Sequence, residues 1–222
     1  MNSSTDSGTA PTPPLANALL PALARTVAEL TAEFDRIPPA RRRQLARLAD
    51  YLRGRAGGPA RLNFICTHNS RRSHFGMVWA AAAAYAYGVP GVRTYSGGTE
   101  VTACNPRAVA ALEQLGFAVG RQAAGAADGN PHYTVNFAPR GPALDCYSKR
   151  YDDPANPTTD FAAVLTCSSA AADCPVVPGA EFRLPLTYAD PKEADGTPAE
   201  AARYTERARQ IGRELLYACS QV

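Results

Sequence analysis

The 222-residue chain holds only three histidines, two methionines and one tryptophan, and its charges nearly cancel, leaving a formal net charge of +3. So small a basic excess gives no warrant for nucleic acid or an anionic membrane as the main partner. Any anion site has to be built by local geometry. No stretch reaches the roughly 18 uninterrupted apolar residues of a membrane span. The apolar run from Leu15 to Ala24 lacks the basic residues that precede a secretory signal core, since the first one is Arg25. The chain therefore reads as cytoplasmic. Six cysteines are too few for a disulfide scaffold at this length. Two of them, Cys167 and Cys174, are separated by six residues, with no second pair and no histidine nearby, which is not zinc-knuckle spacing. No metal site is read.

What is present is enough apolar material for a core. Hydrophobic residues make up 45% and charged residues 19%, and 17 glycines with 19 prolines fall far short of a collagenous or low-complexity chain. Residues 1–14 (MNSSTDSGTAPTPP) read as a disordered tail. Residues 15–58 read as a helical hairpin: Leu20, Leu23, Val27, Leu30, Phe34 and Ile37 recur at helical spacing, and Pro38-Pro39 ends that pattern. A second helix then turns Leu45, Leu48 and Leu52 inward. Such a hairpin cannot bury its own stripe and must dock on something. The run Arg41-Arg42-Arg43 reads as a solvated face.

Residues 59–222 form the remaining domain. Leu62–Ile65, Val92–Tyr95, Ala162–Thr166 and Phe182–Leu186 are short apolar strands. Between them lie an Ala-rich helix to about Tyr87 closed by Gly88, a helix from Asn105-Pro106 to Leu115, and a last helix from about Pro198 to Tyr217. Gly97-Gly98 reads as a turn, and residues 120–160 as a long insertion without a period. Strand–helix alternation of this kind makes an α/β fold with a parallel sheet.

Cys66-Thr67-His68-Asn69-Ser70-Arg71-Arg72-Ser73 follows a strand and opens a helix. In such a loop successive backbone N–H groups of Thr67, His68, Asn69, Ser70 and Arg71 converge on an oxyanion, the helix adds its positive end, and Arg72 grips two oxygens. The same field favours a nucleophilic thiolate at Cys66, which Ser73 stabilises by a hydrogen bond. Asn69 tolerates the left-handed backbone that the curl needs. Asp190-Pro191, just past a strand, offers a carboxyl group for acid–base work. Cys167 ends a strand on the same sheet edge, and Cys174 follows in a small-residue segment. Cys104, Cys146 and Cys219 read as structural, His132 as a surface residue, and His74 as a helix residue rather than a base.

These residues resemble one family. FICTHNSRRS, the segment Tyr95-Ser96-Gly97-Gly98-Thr99, Asn105-Pro106 and Asp190-Pro191 are similar to the low-molecular-weight protein tyrosine phosphatase superfamily. LTCSSAAADCPVVP with Asp190-Pro191 is similar, within it, to the thioredoxin-coupled arsenate reductases. The resemblance covers roughly residues 61–119 and 161–218. It implies a three-layer sandwich around a four-stranded parallel sheet, Cys66 as nucleophile, Arg72 as oxyanion ligand, Ser73 as thiolate partner and Asp190 as acid–base. It further implies Cys167 and Cys174 as shuttle cysteines, a small oxyanion substrate (arsenate or a phosphomonoester), no bound cofactor, and thioredoxin as external reductant. The sequence departs from the pattern where His68 replaces a glycine and Arg71 a cysteine of some reductases. Met77 stands in place of a potassium-site glutamate, so no such site is expected. Lys192 and Glu193 replace the tyrosines of phosphotyrosine enzymes. The resemblance implies an arsenate reductase, with a phosphatase as the alternative.

Overall fold

The computed structural model describes residues 13–55, 57–122, 129–173 and 176–222. Most of the expected N-terminal tail and Cys174 lie outside them. In chain order the elements are α1 (Pro21–Ala32), α2 (Pro39–Gly54), β1 (Ala60–Cys66), α3 (Arg72–Tyr87), β2 (Val92–Gly98) and α4 (Pro106–Gln114). They continue with β3 (Ala118–Arg121), β4 (Tyr133–Asn136), β5 (Leu144–Cys146), β6 (Phe161–Leu165), α5 (Ser168–Asp173), β7 (Ala180–Pro185) and α6 (Glu200–Ser220). Among the described residues no helix is long and apolar enough to cross a membrane.

Strands β2, β1, β6 and β7 form a parallel sheet in that spatial order. It is the four-stranded parallel sheet, flanked by helices, that the sequence implies. Its central strands β1 and β6 are buried almost throughout because both faces are covered, whereas the edge strands β2 and β7 are only partly buried. Leu62, Phe64, Ala162, Val164 and Leu184 face a large cluster built with α1, α2, α3, α4 and α6. Ile65, Phe161, Ala163 and Leu165 face a smaller one that also holds Cys66, Cys167, Ala170 and Val177.

Helix α3 is buried almost all round, which its alanines make possible. It ends at Gly88, whose φ of 68° closes the helix in the left-handed region that glycine adopts freely. The N-terminal helices share the large cluster. Leu23, Val27, Leu30, Leu45 and Leu48 are buried there, each contributing about 1.5–3 kcal/mol of transfer free energy that a free hairpin would forgo. The first apolar stripe is not one helix: α1 stops at Ala32, and Phe34–Arg36 continue as a 3-10 turn. The Thr31 hydroxyl donates back to the Val27 carbonyl at 2.7 Å, the kind of local bond that competes with helix continuation.

The arginine run is not a solvated face. Arg41 donates from Nε to Glu214 at 2.7 Å and lies over the Tyr188 ring, and Arg42 donates to the carbonyls of Ile37 and Phe34. Only Arg43 of the three is exposed. The other two fasten α2 to its neighbours.

Residues 120–160, without a period in sequence, contribute strands of a second sheet. The sheet β3-β4-β5 is antiparallel and starts at Ala118, with residues 123–128 outside the described part. Strands of three or four residues are too short to display a period in sequence. Nor are Gly97 and Gly98 a turn: they end β2. A Cβ on Gly97 would lie 2.3 Å from the Tyr151 Cα, and one on Gly98 would lie 2.7 Å from the Thr67 carbonyl oxygen. Close backbone approach, rather than chain reversal, requires both glycines.

Two expected outcomes follow for stability. A Cβ on Gly212 of α6 would stand 2.6 Å from the fully buried indole of Trp79 on α3. Gly→Ala within a helix ordinarily stabilises by about 0.5–1 kcal/mol. Here the overlap reverses the sign, and Gly212→Ala is expected to lower stability by about 1–2 kcal/mol, measured as a lower urea midpoint. Burial also pushes the Cys146 and Cys219 thiols up to about 12 and raises Cys104. An unfolded thiol ionises near about 8.5, so above that pH the unfolded chain sheds protons that the folded chain keeps. Stability is expected to be complete below about pH 8.5 and to fall as pH rises beyond it. Denaturation of Cys146→Ala and Cys219→Ala between about pH 8 and 10.5 should show a flatter fall.

Candidate active site

Strand β1 delivers Cys66 at its carboxyl end, and α3 starts six residues later at Arg72, so the intervening loop curls over a helix N-terminus. Asn69 sits at φ 44°, left-handed, as the curl requires. Its Nδ2 donates to Ser73 Oγ at 2.9 Å, and its Oδ1 accepts the Lys149 N–H at 3.0 Å. Ser73 Oγ lies 3.1 Å from Cys66 Sγ. Ser70 Oγ donates to the Ala103 carbonyl at 2.7 Å, tying the loop to the segment before α4. Asn69 and Ser73 are fully buried. The loop is a fixed scaffold rather than an open strand end.

Asp190 stands across the loop, after β7. Its Oδ2 accepts from Arg72 at 2.7 Å and its Oδ1 from Arg71 Nε at 2.9 Å, while Arg72 also donates to the Tyr188 carbonyl at 2.8 Å. Oδ1 further accepts the Lys192 N–H at 3.1 Å, fixing the following 3-10 turn. Cys66, His68, Ser70, Arg71, Arg72 and Asp190 line one small hollow. Both guanidiniums are largely buried, so an anion there meets them in a weakly screened setting. His68 is the exposed member, with Nε2 3.4 Å from Glu100.

Cys167 joins this group through sheet register. Ile65 pairs with Leu165, and Thr166 donates its N–H to the Ile65 carbonyl at 2.7 Å, which brings the next residue beside the start of the loop. The Cys167 sulfur lies 3.5 Å from Thr67 Oγ1, 3.6 Å from Ser169 Oγ and 3.3 Å from the Ala170 N–H. Burial raises its thiol pKa, but the bonds from Thr67, Ser169 and Ala170, with the charge of Arg72, outweigh burial and hold it below the ordinary thiol value. Cys66 and Cys167 share one apolar cluster.

The remaining expectations sort as follows. Cys104, Cys146 and Cys219 are buried in the large cluster. His74 is buried, and desolvation with the Lys149 charge lowers it to about 3, so it is neutral. His132 is half-buried and stacks on Tyr147 at 3.9 Å, since the small sheet gives it a neighbour that the sequence did not reveal. Sequence reasoning missed Ser148, whose hydroxyl donates to the His68 carbonyl at 2.8 Å, and Lys149. Both lie in the segment that shows no period.

No family model matches the chain. It is 28% identical over 153 residues to an arsenate reductase of Bacillus subtilis (strain 168), covering 68% of this chain and 89% of the relative. It is 25% identical over 153 residues, with the same coverage, to an arsenate reductase of Bacillus licheniformis. The chain is thus similar to curated arsenate reductases across about two thirds of its length. Solved structures similar to it include a low molecular weight phosphotyrosine phosphatase from Vibrio cholerae, at 12% identity and TM-score 0.46, covering 71% of this chain and 93% of that one. Another is a low molecular weight protein tyrosine phosphatase from T. tengcongensis, at 17% identity and TM-score 0.42, covering 71% and 96%. The loop geometry gives a direct expectation. Millimolar arsenate or phosphate should raise the Tm of the wild type, and Arg72→Ala should abolish the rise, as scanning calorimetry would measure.

Proposed function

We propose that the chain is an arsenate reductase working through a cysteine relay. The observation that carries this reading is Cys167: a buried sulfur on the neighbouring strand end, hydrogen-bonded to the residue that follows Cys66 and held below the ordinary thiol pKa. A phosphatase has no use for such a group.

The relay has four steps. The Cys66 thiolate attacks As(V) held by the loop amides and Arg72, a sulfur–arsenic(V) bond forms as an As–O bond breaks, and the departing hydroxide takes a proton from solvent to leave as water. The Cys167 thiolate then attacks Cys66 Sγ. A disulfide forms, and the electron pair of the breaking S–As bond stays on arsenic, which departs as arsenite. Cys174 next attacks Cys167, forming a Cys167–Cys174 disulfide and returning Cys66 as thiolate. An external dithiol, thioredoxin, reduces that disulfide and is itself oxidised. Support for the first half comes from the geometry of Cys66, Ser73 and Cys167; Cys174 enters on its spacing in the sequence.

The second reading is a phosphomonoesterase forming a phosphocysteine at Cys66, with Asp190 protonating the leaving alcohol. The position of Asp190 over the same hollow favours it. Against it, both carboxyl oxygens accept from guanidiniums, and neither is free to carry a proton to a leaving group.

Arsenate-dependent NADPH oxidation with thioredoxin and thioredoxin reductase tests the choice, with para-nitrophenyl phosphate hydrolysis in parallel. Cys66→Ser is expected to abolish both activities. Cys167→Ser and Cys174→Ser are expected to abolish NADPH turnover and spare ester hydrolysis. Robust ester hydrolysis with no arsenate-driven electron flow in the wild type would make the protein a phosphatase.

A further inference from the structure

We propose that Asn130 and Ser148 are positioning residues for the Cys66 nucleophile, acting through a directed chain of hydrogen bonds that enters the loop from the small sheet. The inference rests on the reading of Cys66 as the attacking thiolate.

The chain can be followed atom by atom. Asn130 grips the backbone of Ser148 from both sides: its Nδ2 donates to the Ser148 carbonyl at 2.8 Å and its Oδ1 accepts the Ser148 N–H at 3.0 Å. Ser148 Oγ accepts the Thr102 N–H at 2.9 Å and donates to the His68 carbonyl at 2.8 Å, turning that carbonyl away from the loop interior. The next N–H, that of Lys149, donates to Asn69 Oδ1 at 3.0 Å. The end of β2 holds the same segment from the far side. There Gly98 donates to the Lys149 carbonyl at 2.8 Å, and Tyr151 donates to the Gly98 carbonyl at 2.9 Å.

The direction of these bonds matters more than their number. A peptide N–H can only donate, so the Asn69 oxygen must face Lys149 and its amide NH2 must face Ser73. Ser73 Oγ then receives a hydrogen from Asn69 at 2.9 Å and has its own to give to Cys66 Sγ at 3.1 Å. Flipping the Asn69 amide would oppose two donors at Lys149 and reverse the chain, leaving the sulfur without a donor. The main chain of the 148–149 segment therefore sets the polarity of a buried network that terminates on the thiolate, and Asn130 holds that main chain in place. Asn130 and Ser148 both lie outside the loop motif and contact none of the reacting atoms.

Rates of Cys66 alkylation by iodoacetamide, resolved by peptide mass spectrometry from pH 5.5 to 9.5 without arsenate, test this. The Asn130 and Ser148 side chains bond only to main chain and to no side chain of the charged or titratable groups around the loop: His68, Arg71, Arg72, His74, Glu100, Lys149, Cys167 and Asp190. At about pH 6.5, Asn130→Ala is expected to slow alkylation roughly fivefold, the factor set by one hydrogen bond of ordinary net strength, and the profiles should converge at alkaline pH. Ser148→Ala should move the profile in the same direction and serves where Asn130→Ala does not fold. Gln122→Ala, which removes a bond to Thr134 within the same small sheet, should keep the wild-type profile. Folded Asn130→Ala and Ser148→Ala proteins with unchanged profiles would overturn the inference. Were wild-type Cys66 itself no more reactive than in the urea-unfolded chain, the nucleophile reading would fall first and this inference with it.

Discussion

Parallel pairing of β1 with β6 is the constraint on which the site depends. The chain leaves β1 toward α3 and β2 on one side, and leaves β6 toward α5 and β7 on the other. The two exits diverge and leave a crevice at the carboxyl ends of the central strands, where open α/β sheets place their ligands. Register decides what stands in that crevice. With Ile65 opposite Leu165, Cys66 and Cys167 both reach the rim within one apolar cluster. A slip of one residue would exchange every side chain between the two faces and separate the sulfurs.

Around that crevice the buried guanidiniums of Arg71 and Arg72 are paired. Arg71 and Arg72 share the carboxylate of Asp190, which spares the protein the several kcal/mol that an uncompensated buried charge would cost. On the far side of the sheet, α6 collects a second set of pairs. Burial raises the Glu33 carboxyl pKa, yet the guanidiniums of Arg213 and Arg209 outweigh burial and hold Glu33 below its ordinary range. Those pairs fasten α1 to α6.

What could be read from sequence followed the strength of local signals. The central strands showed as short apolar runs, α3 as an alanine run with its glycine stop, and the anion loop as cysteine and arginine at a fixed spacing. Each is determined by neighbours in sequence. The β3-β4-β5 sheet was illegible because strands of three or four residues carry too few alternations. Gly97 and Gly98 looked like a turn because the backbone that crowds them, Tyr151 and the Thr67–Asn69 stretch, is remote in the chain. Arg41 and Arg42 looked solvated because Glu214 is 173 residues from Arg41 and carbonyl acceptors leave no trace in sequence. Ser148 belongs with these: its partner His68 is 80 residues away, and nothing local marks it.

The sheet divides the apolar interior unequally. One face supports the large cluster under five helices; the other rests on eight described residues and the six-residue α5, pinned by Ala170 and by a bond from Arg183 to the Ala171 carbonyl. Excursions from the native state begin where few apolar contacts must be broken, which here is the face that carries Cys167. The sheet thus anchors α3, which carries Arg72 and Ser73, in the larger cluster, and holds the Cys167 strand end over the smaller one.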